Sequence, residues 1–354
     1  MYLNSFLTPD NEKWAEILKS VRHDFYHLPE YVALEADWLK AKPIAFYCEY
    51  ESEIMLLPLI ERSTPYGFGS DAVTPYGYSS PIFSDCSTEK FRINALQCFQ
   101  DAAQQRGLVS SFIRLHPLIQ PSLLGGDKLL RGIWLQDERG FTVDLPLDAD
   151  HDSWLSSISS GHRGDIKRLK SNGYRFVMNT EKIMREFPRI YAQTMQRLNA
   201  KSEYQYTSEY FDRIHKALGD KLQCAAVLNA DGDLMCAALF THVNDVVQYH
   251  LSATDERFAK MAPMKLVISE MREWARQRSV LYFHLGGGLG GGKDSLFYFK
   301  EKFGGQTRLF RTVSAIHISE IYEKECQSRA SLDGSADSTI NGFFPAYRAP
   351  VRLT

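Results

Sequence analysis

The run Leu281-Tyr-Phe-His-Leu-Gly286-Gly-Gly-Leu-Gly-Gly-Gly-Lys293-Asp294-Ser-Leu-Phe-Tyr-Phe299-Lys300-Glu-Lys-Phe303-Gly304-Gly305 constrains the fold of this chain more than any other stretch. Residues 281–285 are mostly apolar and β-prone, and six glycines within the next seven positions give the backbone access to positive φ. That predicts a strand ending in a tight, open loop. Asp294 stands where an N-cap belongs, Leu296, Phe299 and Phe303 follow at helical spacing, and Gly304 supplies a left-handed stop. A short amphipathic helix therefore leaves the loop. Projected on a helical wheel, Lys300 falls beside Leu296 and Phe303 on the border of the apolar stripe, whereas Lys302 points away.

Two phosphate-binding readings of the loop fail on their neighbours. Positions 287–293 match G-x-x-x-x-G-K, but Asp294 follows where a Ser or Thr hydroxyl must ligate magnesium, and a carboxylate there would repel phosphate. Gly286, Gly288 and Gly291 satisfy G-x-G-x-x-G, yet no acidic residue on a second strand follows at the required distance. What remains is a loop that lets another backbone or a substrate approach closely, followed by a lysine drawn toward a core.

With 354 residues, 44% hydrophobic and 24% charged, and a formal net charge of -2, the chain has material for two ordinary globular domains, with a boundary expected near residue 150. Nothing global calls for DNA or a membrane. The N-terminal ten residues have no basic start or long apolar run, and no stretch approaches the roughly 18 apolar residues of a spanning helix. The expectation is a cytoplasmic protein without a transmembrane segment, peripheral contact with the inner membrane face being left open. Cysteines at 48, 86, 98, 224, 236 and 326 are scattered, without a C-x-x-C pair, and read as reduced, mostly buried thiols. No His/Cys cluster has metal-ligand spacing, so no metal is expected. His23 and His27, four apart, read as surface or hydrogen-bonded histidines rather than ligands.

Along the chain, patterning predicts helices over 10–22 and from Pro29 to Trp38, a hairpin over 43–50 and 53–61, and a Pro/Gly/Tyr-dense loop over 64–82 containing Tyr76 and Tyr78. A helix over 89–106 and a strand over 109–115 ending at His116-Pro117 follow, then two short strand-like runs within 132–145. A helix beyond Trp154 presents Arg163, Lys167 and Lys170, which is either a solvated basic face or a phosphate-binding stripe. Helices over 187–199 and 208–218 precede three strands, 223–228, 234–243 and 246–253, turning at Asp231-Gly232 and Asn244-Asp245. A helix over 264–278, the glycine motif and a strand over 307–318 complete the order, and from about residue 328 the chain reads as a loose Ser/Asp/Gly-rich tail.

This order, together with His284-Leu-Gly-Gly-Gly, Asp294-Ser-Leu, Phe299-Lys300 and Phe303-Gly304, resembles the Fem-type peptidoglycan aminoacyltransferases and their GNAT relatives. So do Arg163-Gly-Asp-Ile-Lys167-Arg168, Thr194-Met-Gln-Arg197 with Tyr206 and Tyr210-Phe211, and Tyr249-His-Leu-Ser-Ala253, while Thr74-Pro-Tyr-Gly-Tyr-Ser-Ser-Pro-Ile is similar to the relatives' first-domain loop. The resemblance covers about residues 20–318. It implies an α+β fold of two packed GNAT-like domains, each a mixed or antiparallel sheet flanked by helices: residues 1–150, completed in one reading by 319–354, and residues 151–318. It also implies transfer of an acyl or aminoacyl group to an amine of a cell-envelope precursor, an amino sugar or peptide. Acyl-CoA or aminoacyl-tRNA would be co-substrate, tRNA a partner in the second case, and no cofactor would be tightly bound.

In that reading Lys300 matches the lysine of the family's Phe-Lys pair, which is thought to stabilise charge near the reacting ester, and a fixed cation at the edge of a dry site suits an oxyanion. His116 stands where Fem-type enzymes tend to carry Asp-Pro, and is either a general base or a histidine that caps the strand. Arg163, Lys167 and Arg197 would hold phosphates, and Tyr76, Tyr78 and Tyr206 would line the acceptor groove, with Tyr249 and Phe299 as further substrate-binding positions. One departure bears on the donor: the turn that binds pyrophosphate in acetyl-CoA GNAT enzymes reads Asp255-Glu-Arg-Phe-Ala-Lys-Met-Ala-Pro263, without their glycines. The alternative is a non-catalytic GNAT-like module that binds a nucleotide-linked glycan. Oligomeric state is not assigned by the sequence.

Overall fold

The computed structural model describes residues 1–119, 134–332 and 343–350. The chain divides into two units, residues 1–138 with 310–354 and residues 139–309. The boundary expected near residue 150 thus lies earlier, at 138/139, and the chain returns to the first unit at Phe310 rather than after residue 318. Both crossings fall inside strands, Leu135–Leu145 and Gln306–Ile316, rather than in a linker between elements.

The first unit opens with β1 (Leu3–Leu7), α1 (Glu12–Ser20), α2 (Pro29–Trp38) and the hairpin β2 (Lys42–Tyr50) and β3 (Glu53–Ser63). Asn11 caps α1 by accepting from Lys13 N–H, and Trp14, Ile17 and Leu18 give it one buried face. Pro29 starts α2 as its sequence suggests. Then come β4 (Ser70–Val73), β5 (Ile82–Phe83), α3 (Glu89–Arg106, capped by Thr88 and stopped by left-handed Gly107) and β6 (Leu108–Arg114). β4 corrects the reading of 64–82 as a pure loop. It pairs antiparallel with β3 and parallel with β6, and its four residues are too few to show a period among flanking glycines and prolines.

The second unit contains β7 (Leu135–Leu145), α4 (His151–Ser157), α5 (Ser160–Ser171), β8 (Arg175–Met178), α6 (Glu181–Arg197), α7 (Ser208–Leu218), β9 (Leu222–Leu228), β10 (Leu234–Val243), β11 (Val246–Thr254), α8 (Met264–Arg276), β12 (Tyr282–Gly287) and α9 (Ser295–Glu301). Within 134–145 there is one strand where two short runs were expected; positions 132 and 133 lie outside the described residues. β9 to β11 form the expected antiparallel meander, to which β8, not anticipated from the sequence, adds a fourth antiparallel strand; β11 then pairs parallel with β12, and β12 pairs antiparallel with β7. The core beneath this sheet joins Val143, Leu145, Trp154, Ile166, Phe240, Val247, Met271, Phe283, Phe297 and Phe303.

The chain then returns to the first unit as β13 (Gln306–Ile316), antiparallel to β6, and α10 (Ser319–Leu332). The expected loose tail is therefore corrected over 328–332, which is helical, and over 343–350, which is docked. Tyr347 is buried, with its hydroxyl against Ser110 Oγ at 2.8 Å and donating to Asp71 Oδ2 at 3.1 Å, and Arg348 also binds Asp71. Glu325 accepts from Tyr66 N–H and Phe68 N–H. Composition misleads here because the segment is held by scattered polar side chains, Asp71 on Tyr347 and Arg348, and Arg329 on the Ala349 and Pro350 carbonyls, beside a small apolar cluster around Tyr347 rather than by an apolar run. Residues 333–342 and 351–354 lie outside the described set. Each unit is thus a mixed sheet with helices, and among the described residues no helix is long and apolar enough to cross a membrane.

Candidate active site

β11 and β12 pair at three rungs, Val246–Tyr282, Val247–Phe283 and Gln248–His284, and β11 then runs on to Thr254 beyond the last of them. Two parallel strands thus part at a defined point. The last rung is riveted by side chains: His284 Nδ1 meets Gln248 Oε1 at 2.5 Å, while Gln248 Nε2 donates to the Tyr249 carbonyl at 3.0 Å. Beyond this rivet lie Tyr249 on one strand and Gly287 on the other.

Lys300 sits between them. Its Nζ donates to Gly287 O at 2.7 Å and stands 5.7 Å from the centroid of the Tyr249 ring, and the side chain is only 6% exposed. Burial pushes its pKa down to about 7, with Asp294 pulling weakly the other way. Tyr249 is itself buried and its hydroxyl donates to Ser252 Oγ; burial raises its pKa, so it stays neutral. The site therefore offers a lysine poised between charged and neutral forms next to an aromatic face.

The glycines are explained by the chain itself. A Cβ at Gly140, where φ is +144°, would stand 1.8 Å from Gly291 O, and one at Gly287 would stand 2.7 Å from Phe141 O. β7 and the glycine loop approach backbone to backbone. Asp294 staples the loop, accepting from Phe297 N–H at 2.9 Å as the N-cap of α9 and from Leu289 N–H at 2.8 Å. The strand, loop, helix and stop come in the expected order, but the buried face of α9 is Phe297, Lys300 and Phe303; Leu296, expected beside Lys300, is 43% exposed.

The other expected site residues scatter. Phe299 is half-buried, and its carbonyl takes a hydrogen bond from His162 Nε2 at 3.0 Å. Arg163 is half-buried and donates to Ser156 O, Arg168 pairs with Asp165 and Lys170 with Glu270, so much of the basic stripe is engaged within its own unit; Lys167 is exposed. Arg197 is exposed in the last turn of α6. Tyr206 corrects the groove-lining expectation: it is buried and stacked on Tyr210 at 3.9 Å, part of an aromatic cluster with Tyr191 and Phe211.

His116, Tyr76 and Tyr78 belong to the first unit. The His116 Nδ1 lone pair accepts from Leu118 N–H at 3.1 Å and Ile119 N–H at 3.0 Å, so Nε2 carries the proton and gives it to Asp24 Oδ2 at 3.1 Å. The nitrogen a general base needs is taken, which corrects that reading in favour of a histidine that caps the end of β6. Tyr78 is half-buried, edge-on to Tyr26, His116 and Phe310, and Tyr76 is 36% exposed, its carbonyl accepting from Tyr31. His23 and His27 are buried, His27 between the Asp24 and Ser80 carbonyls, with burial lowering its pKa to about 3. Among the described residues no group of His, Cys, Asp and Glu is arranged to hold a metal.

Residues 156–299 match the family model of the acetyltransferase (GNAT) domain. The chain carries a GNAT acyltransferase domain. The match covers less than half of the chain and ends one residue before Lys300. Among solved structures, the chain is similar to FemX, at 14% identity and a TM-score of 0.71, with 91% of this chain and 99% of that one covered. It is also similar to L-PGS from Bacillus licheniformis, at 14% identity and a TM-score of 0.59, covering 88% and 93%. A tandem GNAT protein from the clavulanic acid biosynthesis pathway aligns at 9% identity and a TM-score of 0.50, covering 90% and 99%. At these identities the likeness is one of fold. No curated protein matches the GNAT chain in sequence.

Three features of the second unit had little sequence signal. Gly140 lies about 150 positions from its partner Gly291. His162 and Trp154, which touch α9, sit in a stretch whose visible pattern is basic rather than apolar. The sharp motif was the glycine run, and the residues that fix it lie elsewhere.

Proposed function

We propose that this acyltransferase moves an acyl or aminoacyl group from an activated ester or thioester to an amine of a cell-envelope precursor, at the point where β11 and β12 part. The observation that carries the reading is Lys300, buried there with one N–H on Gly287 O and two more to give. The acceptor amine attacks the donor carbonyl, the oxyanion forms within reach of Nζ, and collapse expels the alcohol or thiol while the amine's proton passes to the leaving group. A preorganised cation in a dry site lowers the barrier because its charge meets an oxyanion absent from the ground state. Holding amine and ester together contributes the rest.

The turn before α8 bears on the donor. Asp255 caps the helical turn Glu256–Met261 and binds Arg257 and Arg189, and Lys265 N–H and Leu266 N–H bond the Ala262 and Pro263 carbonyls. A buried carboxylate and already engaged amides suit a pyrophosphate poorly. That favours an aminoacyl ester, as on tRNA, over acyl-CoA held in the usual way, and the resemblance to Fem-type enzymes favours an envelope amine as acceptor. Purified protein is to be incubated with labelled acyl-CoA or with aminoacyl-tRNA beside a pool of envelope precursors. Transfer from the tRNA ester that is lost in Lys300→Met supports the reading. Transfer from neither, with retained precursor binding, replaces it with a non-catalytic binding module.

A further inference from the structure

α9 has seven residues, too short to be stable by itself. A helix end leaves its last carbonyls without intrahelical partners, and here each one is filled. Tyr298 O takes Lys302 N–H, Lys300 O takes Phe303 N–H and Glu301 O takes Gly304 N–H. The other three are filled from a single distant stretch: Phe299 O by His162 Nε2 at 3.0 Å, Lys302 O by Ser159 N–H at 3.1 Å and Phe303 O by Trp154 Nε1 at 3.1 Å. The rings add contact, with Trp154 parallel to Phe303 and His162 edge-on to it at 4.5 Å. At the other end of the helix, Asp294 holds Leu289 and Phe297.

We propose that Trp154, Ser159 and His162 form a collar on α9 whose task is to position Lys300, with His162 as the principal positioning side chain. Lys300 lies between the carbonyls the collar grips, so rotation or fraying of α9 would carry Nζ away from Gly287 O and admit water beside it. Trp154 is held in turn by Arg272, whose guanidinium lies 4.7 Å from its ring centroid and bonds the Pro146 and Ala149 carbonyls. His162 faces a carbonyl through Nε2, so that nitrogen carries a proton. Burial first, then Lys265 and Lys302, lower its pKa to about 4 against the opposite pull of Asp165 and the Phe299 carbonyl. The collar therefore keeps one protonation state across the range in which Lys300 titrates.

The kinetic part of this inference rests on the proposed role of Lys300, but its direct readout does not. In protein carrying lysine labelled with carbon-13 at Cε, the Lys300 resonance is assigned by its loss in Lys300→Met, and its titration is followed by NMR. His162→Ala is expected to raise the Lys300 midpoint by about one unit as water enters and to lower kcat about tenfold with little change in KM. His162→Gln, which keeps a donor at the same reach, restores both. Trp154→Phe removes the indole N–H while keeping a ring, and shifts the midpoint in the same direction, so it carries the test if His162→Ala does not fold. An unmoved Lys300 midpoint in a folded His162→Ala or Trp154→Phe protein overturns the collar. Unchanged turnover in Lys300→Met overturns the proposed mechanism instead, and leaves the NMR test standing.

Discussion

Lys300, on α9, and His116, just beyond β6, are both buried polar side chains, and they differ in how much of their hydrogen-bonding capacity the protein fills. His116 gives its proton to Asp24 and its lone pair to two backbone amides, and the ring is complete. Lys300 gives one N–H to Gly287 and keeps two. Burying a polar group without partners is costly, so a satisfied one is explained by folding alone, whereas one left short, with its pKa moved toward neutrality, needs another explanation. From sequence Lys300 was the sharper candidate, and His116 stood open between a base and a strand cap. The contrast explains His116 by folding alone and leaves Lys300 as the residue on which the proposed chemistry rests.

The largest effect that can break this contrast is on rate. Lys300→Met is expected to slow single-turnover transfer at least ~100-fold, and a variant within a few-fold of wild type would place the two residues in the same class. Next, Gly140→Ala forces a Cβ onto Gly291 O at a φ few side chains tolerate and should cost about 3 kcal/mol in urea unfolding; a neutral result would mean that β7 does not set the glycine loop. His116→Ala leaves Asp24 and two amides short of a partner and should cost about 2 kcal/mol, while the folded enzyme keeps its rate within about threefold. A large rate loss at unchanged stability would restore the histidine as a base.

The pH dependence sharpens the same point. Lys300 titrates near 7 in the fold against an ordinary value of 10.5, so its charged form is disfavoured by folding. The penalty is fully present below pH 7 and fades as pH rises toward the unfolded value. Lys300→Met should therefore stabilise the protein, by roughly 1 to 3 kcal/mol at pH 6 and by less at pH 9. The wild-type rate should fall as pH rises through about 7 and the cation is lost. Equal stabilisation at both pH values, in thermal melts, would argue against a charged lysine in the fold. The smallest effect is expected at Arg163→Ala, under about half a kcal/mol of stability and little change in acceptor KM, because the guanidinium is spent on Ser156 O; a large rise in KM would return it to the phosphate-binding set.

How much of this could be read from residues alone varied with distance along the chain. The meander turned at the expected residues because Gly232 and Asn244 supply the positive φ values that such turns need. Asp294 was recognisable as a cap because its partner Phe297 lies three residues away. Lys300 stood out because a lysine on an apolar border is locally odd. Gly140 against Gly291, His162 on Phe299 O and Tyr347 on Asp71 join positions 151, 137 and 276 apart, and no local period records such pairs. Tyr206 shows the opposite error: it was expected to line the acceptor groove, and the stack with Tyr210 that buries it depends on how α7 packs.

The return of the chain to its first unit has a consequence for biosynthesis. Residues 139–309 form one uninterrupted unit, but β6 is flanked by β4 on one side and by β13 on the other, almost two hundred residues later. At about 5–20 residues per second on the ribosome, the β13 edge of β6 stays open for on the order of ten to forty seconds, the time in which residues 139–309 are made. The half of the protein made first is the last to close, and its nascent strand edge is where a chaperone would have work to do.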